Sequence, residues 1–168
     1  MTTEVAKELV IMMCSWAATL AGQNGLPQYA PDKVKNFEPP PAYFVSHAEI
    51  LADPICNNDP NCKVEALQRD GKIFFDSRLD FLNNTKHLSI GVHECVHYYQ
   101  FKVMNETEAG AYGRSLVCGR EIQMEREAYG IQQQFLVQYG VYMPSPPPVE
   151  GASICTEPDR QNDHPAHE

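Results

Sequence analysis

Residues 91–100 read GVHECVHYYQ, and His93-Glu94-Cys95-Val96-His97 constrains this chain more than any other stretch. On an α-helix, residues four apart lie almost above one another. His93 and His97 therefore offer two imidazoles on one face, suited to a shared metal ion. Glu94 sits about a quarter turn away, badly placed as a third ligand but well placed to reach a metal-bound water. Two ligands and a general base on one helix are what HExxH chemistry needs. Zinc lowers the pKa of the water, and the carboxylate takes its proton. With 6 His in 168 residues, the pattern arises by chance about 0.02 times per chain. Leu88, Ile90, Val92, Val96 and Phe101 make the helix apolar, as an element beneath a cleft should be. The competing reading is a core helix with two hydrogen-bonded histidines.

Length and composition bound the rest. The 168 residues suit one domain, expected over 1–143, followed by a proline-rich acidic tail over 144–168. Hydrophobic content of 43% and charged content of 21% describe a globular chain. The net charge is -9 and no basic stripe occurs, which argues against a nucleic-acid partner. No apolar run approaches a membrane span. Glu4, Lys7 and Glu8 precede the apolar run 9–21, the wrong flank for a secretory leader.

Cys56 and Cys62 bracket the turn-rich pentapeptide NNDPN. That loop suits a disulfide better than a zinc knuckle, which uses tighter pairs. A disulfide there implies an oxidising compartment. The expectation is an exported chain, periplasmic or secreted, whose leader lies outside this sequence; a cytoplasmic location is the alternative. Cys14, Cys95, Cys118 and Cys155 allow two more bridges with the pairing open. Cys14 and Cys95 read most simply as small buried hydrophobes.

Along the chain, 3–21 predicts a helix ended by Gly22 and Gly25. Residues 23–41 form an extended connector, and Ala42–Val45 a short strand. Ser46 and Glu49 form a capping box for a helix over 47–52. Asp70-Gly71 predicts a hairpin turn between VEALQ and KIFFD, with Phe74 on one face of its strand and Ile73 and Phe75 on the other. A helix is expected over 86–103, a loop over 105–113, and a long helix over 114–139 stopped by Gly140.

A catalytic zinc takes three protein ligands and keeps one position open. Val103 occupies the place of a third histidine in the H-x5-H extension, so the ligand comes from elsewhere. The next helix offers Glu121, Glu125 and Glu127, of which Glu121 and Glu125 share a face. HECVHYYQ followed 28 residues after His97 by Glu125-Arg126-Glu127-Ala128-Tyr129 resembles the gluzincin metallopeptidases, in particular small bacterial HExxH domains. The resemblance covers roughly residues 72–135. It implies an α+β, zincin-like fold: an N-terminal helix, a small antiparallel sheet with an edge strand along the cleft, the HExxH helix, and a long helix carrying the third ligand. It assigns Glu125 as that ligand, with Ala128 as the small residue that lets the helices approach; Glu121 is the alternative. Tyr129 stands where the family often has an Asp bonded to a ligating His, so Tyr129, Glu121 or Asp76 is left to orient the imidazole.

The implied activity is zinc-dependent hydrolysis of a peptide or protein, with Glu94 as base. An oxyanion donor is also required. Tyr98, Tyr99, Tyr112, Tyr129, Tyr139, Tyr142 and His87 are the candidates, with Tyr112 preferred for its place between the two zinc helices. Strand Lys72–Asp76 is the expected substrate-pairing strand. His164 and His167, in the tail, have the chemistry of a weak surface metal site or of an inhibitory segment. The alternatives to an active peptidase are a non-catalytic binding module with a structural zinc and a secreted effector.

Overall fold

Thr3 and Glu4 form a two-residue strand, β1, and the chain then turns into helix α1 (Lys7–Gln23). The helix expected from residue 3 thus begins later, because Thr3 and Glu4 pair antiparallel with Phe44 and Tyr43. The computed structural model describes residues 2–23, 38–108 and 114–142, and of residues 103–108 and 114–123 the backbone alone. Within these lie β2 (Ala42–Val45), α2 (His47–Ala52), β3 (Ala66–Arg69), β4 (Lys72–Asp76), α3 (Thr85–Glu108) and α4 (Arg114–Gln138). Residues 24–37 of the expected connector 23–41 and the tail 144–168 fall outside the described residues, with Cys155, His164 and His167. Among the described residues no helix is long and apolar enough to cross a membrane.

The architecture is α+β, with four helices and one mixed sheet ordered β1-β2-β4-β3 among the described residues. The all-antiparallel sheet expected from sequence is corrected here: β2 and β4 run parallel, Ala42 opposite Ile73 and Val45 opposite Asp76. That pairing leaves β4 inside the sheet. The expected edge strand Lys72–Asp76 is therefore central, and the edge on its side is β3.

Local chemistry explains the connections. Asp70 and Gly71 both take positive φ, 54° and 73°, as a two-residue hairpin turn requires. Ser46 and Glu49 exchange both bonds of the capping box that starts α2. Helix α4 stops before Gly140, whose φ is 69°, the left-handed conformation that closes helices.

The side chains of β4 alternate as the strand period demands. Ile73 and Phe75 enter the main core, while Phe74 packs on a smaller cluster of Val45, Ile50, Cys56 and Leu67. The main core lies between the sheet and the helices, with Met13, Leu20, Val92, Val96, Ile131 and Phe135 at its centre.

One stripe of α3 faces α1. Gly91, Cys95 and Tyr99 lie at i, i+4 and i+8, the spacing of a single helix face. A β-carbon at Gly91 would stand 1.9 Å from Met13 Sδ, so glycine is what admits α1 there. Cys95 forms a disulfide with Cys14, with Cα atoms 4.9 Å apart, and the Tyr99 hydroxyl donates to the Cys14 carbonyl at 3.0 Å. The reading of Cys14 and Cys95 as small buried hydrophobes is corrected: both are buried, but as a cross-link. The expected Cys56–Cys62 bridge is present. Two disulfides point to an oxidising environment.

Candidate metal centre

Helix α3 is longer than expected at its C-terminal end, reaching Glu108, so part of the predicted loop 105–113 is helical. Its motif region is buried: His93 is 6% and Glu94 8% exposed. The stripe opposite Gly91 and Cys95 carries His93 and His97, whose Nε2 atoms approach to 3.0 Å. Ligand atoms of His93, Glu94 and His97 lie within 4.8 Å of one another. This group is able to hold a metal ion.

Helix α4 brings Glu125 to the same point. Its Oε1 is 3.2 Å from His93 Nε2 and in direct contact with His97 Nε2. Ala128, one turn on, is fully buried and leaves room for the two helices to meet. Tyr129 lies over His93, ring centres 4.4 Å apart. The side chain of Glu121 and the whole of Tyr112 lie outside the described residues, as does the side chain of Cys118.

The hydrogen bonds around the imidazoles decide their tautomers. Gln100 donates its amide hydrogens to the Met124 carbonyl at 3.1 Å and to Glu127 Oε2 at 2.9 Å. Both partners only accept, so Gln100 Oε1 is the atom 2.7 Å from His97 Nδ1, and Nδ1 carries the proton. Gln132 donates to Ser89 Oγ at 3.0 Å, and Ser89 donates onward to the Lys86 carbonyl at 2.6 Å. Gln132 Oε1 therefore accepts from His93 Nδ1 at 2.9 Å. Each neutral imidazole then turns an Nε2 lone pair toward Glu125 Oε1. Three acceptors this close repel one another unless a cation lies among them.

A proton or a metal ion fits that requirement. A tetrahedral zinc with arms of about 2.05 Å sets its ligands about 3.3 Å apart; the His93–His97 and His93–Glu125 pairs, at 3.0 and 3.2 Å, are near that spacing, whereas His97 Nε2 and Glu125 Oε1 stand in closer contact than a shared metal would set them. The donor set of two imidazoles and a carboxylate is also of the type zinc takes. Without a metal, the proton takes the place. Burial acts to lower the pKa of His97, but the Glu125 hydrogen bond and the charges of Glu94 and Glu125 outweigh it and raise it to about 9. Burial likewise acts to raise Glu125, and the hydrogen bonds from His93 and His97 outweigh it, holding the carboxyl well below its usual range.

Two glutamines thus orient the histidines; of the residues expected to do so, Tyr129 packs on the His93 ring and the Glu121 side chain lies outside the described residues. Asp76 is committed elsewhere: buried to 1% exposure, it contacts His47 Nδ1 at 2.7 Å and Arg78 Nη2 at 2.8 Å. Among the expected oxyanion donors, Tyr98 donates to the Glu38 carbonyl and Tyr99 to Cys14, both away from the centre. His87 Nδ1 accepts from the Asp80 amide at 2.9 Å. Tyr139 packs on Trp16 and Phe135, and Tyr142 is 77% exposed.

The centre opens into a cleft of about 650 Å³. Residues 63–69, which include edge strand β3, line it together with His93, Glu94, His97, Glu125 and Tyr129. Gln68 reaches across from β3 to Glu94, at 2.6 Å from its carbonyl and 3.2 Å from Oε2. No known protein family, curated protein or solved structure matches this chain.

Proposed function

We propose that the chain is a zinc-dependent peptidase of the gluzincin type, with His93, His97 and Glu125 as metal ligands and Glu94 as general base. The observation that carries this reading is the convergence of two imidazole lone pairs and the Glu125 carboxylate in a cleft beside an edge strand. Glu125 is preferred to Glu94 as third ligand because its Oε1 meets both Nε2 atoms, whereas Glu94 is held toward β3 by Gln68. That division leaves Glu94 for proton transfer.

Bound zinc supplies a water of lowered pKa and a Lewis acid for the carbonyl oxygen. The chain supplies the rest. The Glu94 carboxylate accepts the proton of the attacking water and returns it to the leaving amine. Gln100 and Gln132 keep both imidazoles in the ligating tautomer. The edge of β3, unpaired among the described residues, offers main-chain groups to an extended peptide, a mode of binding that tolerates many sequences.

Elemental analysis with a peptide-hydrolysis screen tests the reading. Wild type should carry about one zinc per chain, Glu125→Ala should lose it, and Glu94→Gln should keep zinc while losing hydrolysis. Absence of metal after zinc has been offered, or turnover by Glu94→Gln, would refute it.

A further inference from the structure

We infer that Gln68 is a positioning residue for Glu94, so that one strand both lines the substrate cleft and aims the base. This rests on the peptidase reading above. The strand period directs Gln68 to the helix side: Leu67 enters the small cluster and Arg69 bonds Asp53 at 3.0 Å on the other face, while Ala66 packs toward the main core. Gln68 Nε2, a donor with two hydrogens, lies within hydrogen-bond distance of two acceptors of Glu94: the main-chain carbonyl at 2.6 Å and the side-chain Oε2 at 3.2 Å.

The second bond is the informative one. A glutamine that only tied strand to helix would need the carbonyl alone. Bonding the carboxylate as well restricts the rotamers of a long side chain and occupies one of its oxygens. Oε1 is left for the proton. A general base works only within hydrogen-bond reach of the proton it takes, and a misplacement of about 1 Å costs about 100-fold in rate. Among the described residues the Gln68 side chain makes its hydrogen bonds to Glu94 and none to His93, His97 or Glu125, so its effect on the base separates from any effect on the metal.

The test has two parts. The first needs no turnover. In ¹⁵N-resolved spectra of the full chain, with and without zinc, the Gln68 side-chain amide pair is assigned by its loss in Gln68→Leu. The pair should shift and exchange faster with solvent in Glu94→Ala; a pair unmoved by that substitution overturns the inference. The second is kinetic. Gln68→Leu should bind zinc as wild type does, with KM within about two-fold and kcat lower by about 100-fold. Gln68→Glu, which sets a second carboxylate against the first, should lose at least as much kcat. Wild-type kcat in either variant, or parallel losses of kcat and zinc, overturns it. A wild-type chain that binds zinc and cleaves no peptide refutes the peptidase reading instead, and the amide spectra still decide whether Gln68 holds Glu94.

Discussion

The Cys14–Cys95 disulfide joins α1 to the centre of the HExxH motif, and removing it should cost more than removing any local feature of the fold. The perturbation is the double variant Cys14→Ala, Cys95→Ala, which deletes the bond without burying a hydroxyl. The cysteines are 81 positions apart. In the chain-entropy treatment a closed loop of that size stabilises the folded state by about 4.5 kcal/mol at 25 °C. Cys56 and Cys62, 6 positions apart, close a loop worth about 2.4 kcal/mol on the same treatment. Urea unfolding with a chelator present isolates this term from metal binding. With a slope of about 2 kcal/mol per molar, the first double variant should lose about 2 M in midpoint and the second about 1 M. Zinc affinity should fall in the first, whose motif helix has lost its covalent anchor, and hold in the second, whose loop lies outside the ligand set. A midpoint loss below about 0.5 M for the 14–95 pair, or a larger loss for the 56–62 pair, would refute the reasoning.

Metal binding and stability should depend on pH in opposite ways. In the metal-free protein His97 has a pKa raised to about 9, so its contribution is full below about 6.5 and is lost as pH rises through 9. The lowered pKa of Glu125 adds stability above about 4.5 that is lost on acidification. Metal-free thermal midpoints should therefore decline from about pH 6.5 to 9, while zinc affinity rises over the same range and then levels; calorimetry in buffers of different ionisation enthalpy should record the released proton. Pair-independent behaviour, flat in pH, would refute the imidazolium–carboxylate assignment. Gln100→Leu and Gln132→Leu should each weaken zinc binding by about 10- to 100-fold, measured by chelator competition; unchanged affinity would show that the amides do not set the tautomers.

How much of this was legible in the sequence follows from contact range. HExxH is read within five residues, the Asp70-Gly71 turn within two, and the Ser46–Glu49 box within four, and each occurs in the structure where its local chemistry placed it. The Cys56–Cys62 bridge belongs with them, because a short turn-rich loop brings its own ends together. The Cys14–Cys95 bridge, the parallel pairing of β2 with β4 and the edge position of β3 depend on elements far apart in the chain, and no local pattern encodes them. The stripe Gly91, Cys95, Tyr99 was a readable helical spacing, but its partner helix was not. The glutamines were missed for another reason. Gln100 and Gln132 are neutral, and a search for a carboxylate or phenol beside the histidines passes over them.

That choice of neutral amides changes the electrostatics of the site. A carboxylate accepting from His Nδ1 would add negative charge beside the ligands; Gln100 and Gln132 accept the same hydrogen bonds and add none. Glu94 and Glu125 already place two carboxylates at the centre, and Glu127 stands behind Gln100 at 2.9 Å. A further buried anion would disfavour ionisation of both, weakening Glu125 in its proposed role as a ligand. The amide also does what a carboxylate is unable to do: it donates on its other side, to Ser89 from Gln132 and to Met124 and Glu127 from Gln100. Each imidazole is thereby locked through a chain of bonds whose direction is fixed at its far end by a carbonyl or carboxylate that only accepts. Orientation of the two imidazoles is obtained without charge, and the negative charge at the centre is confined to Glu94 and Glu125, the proposed base and the proposed ligand.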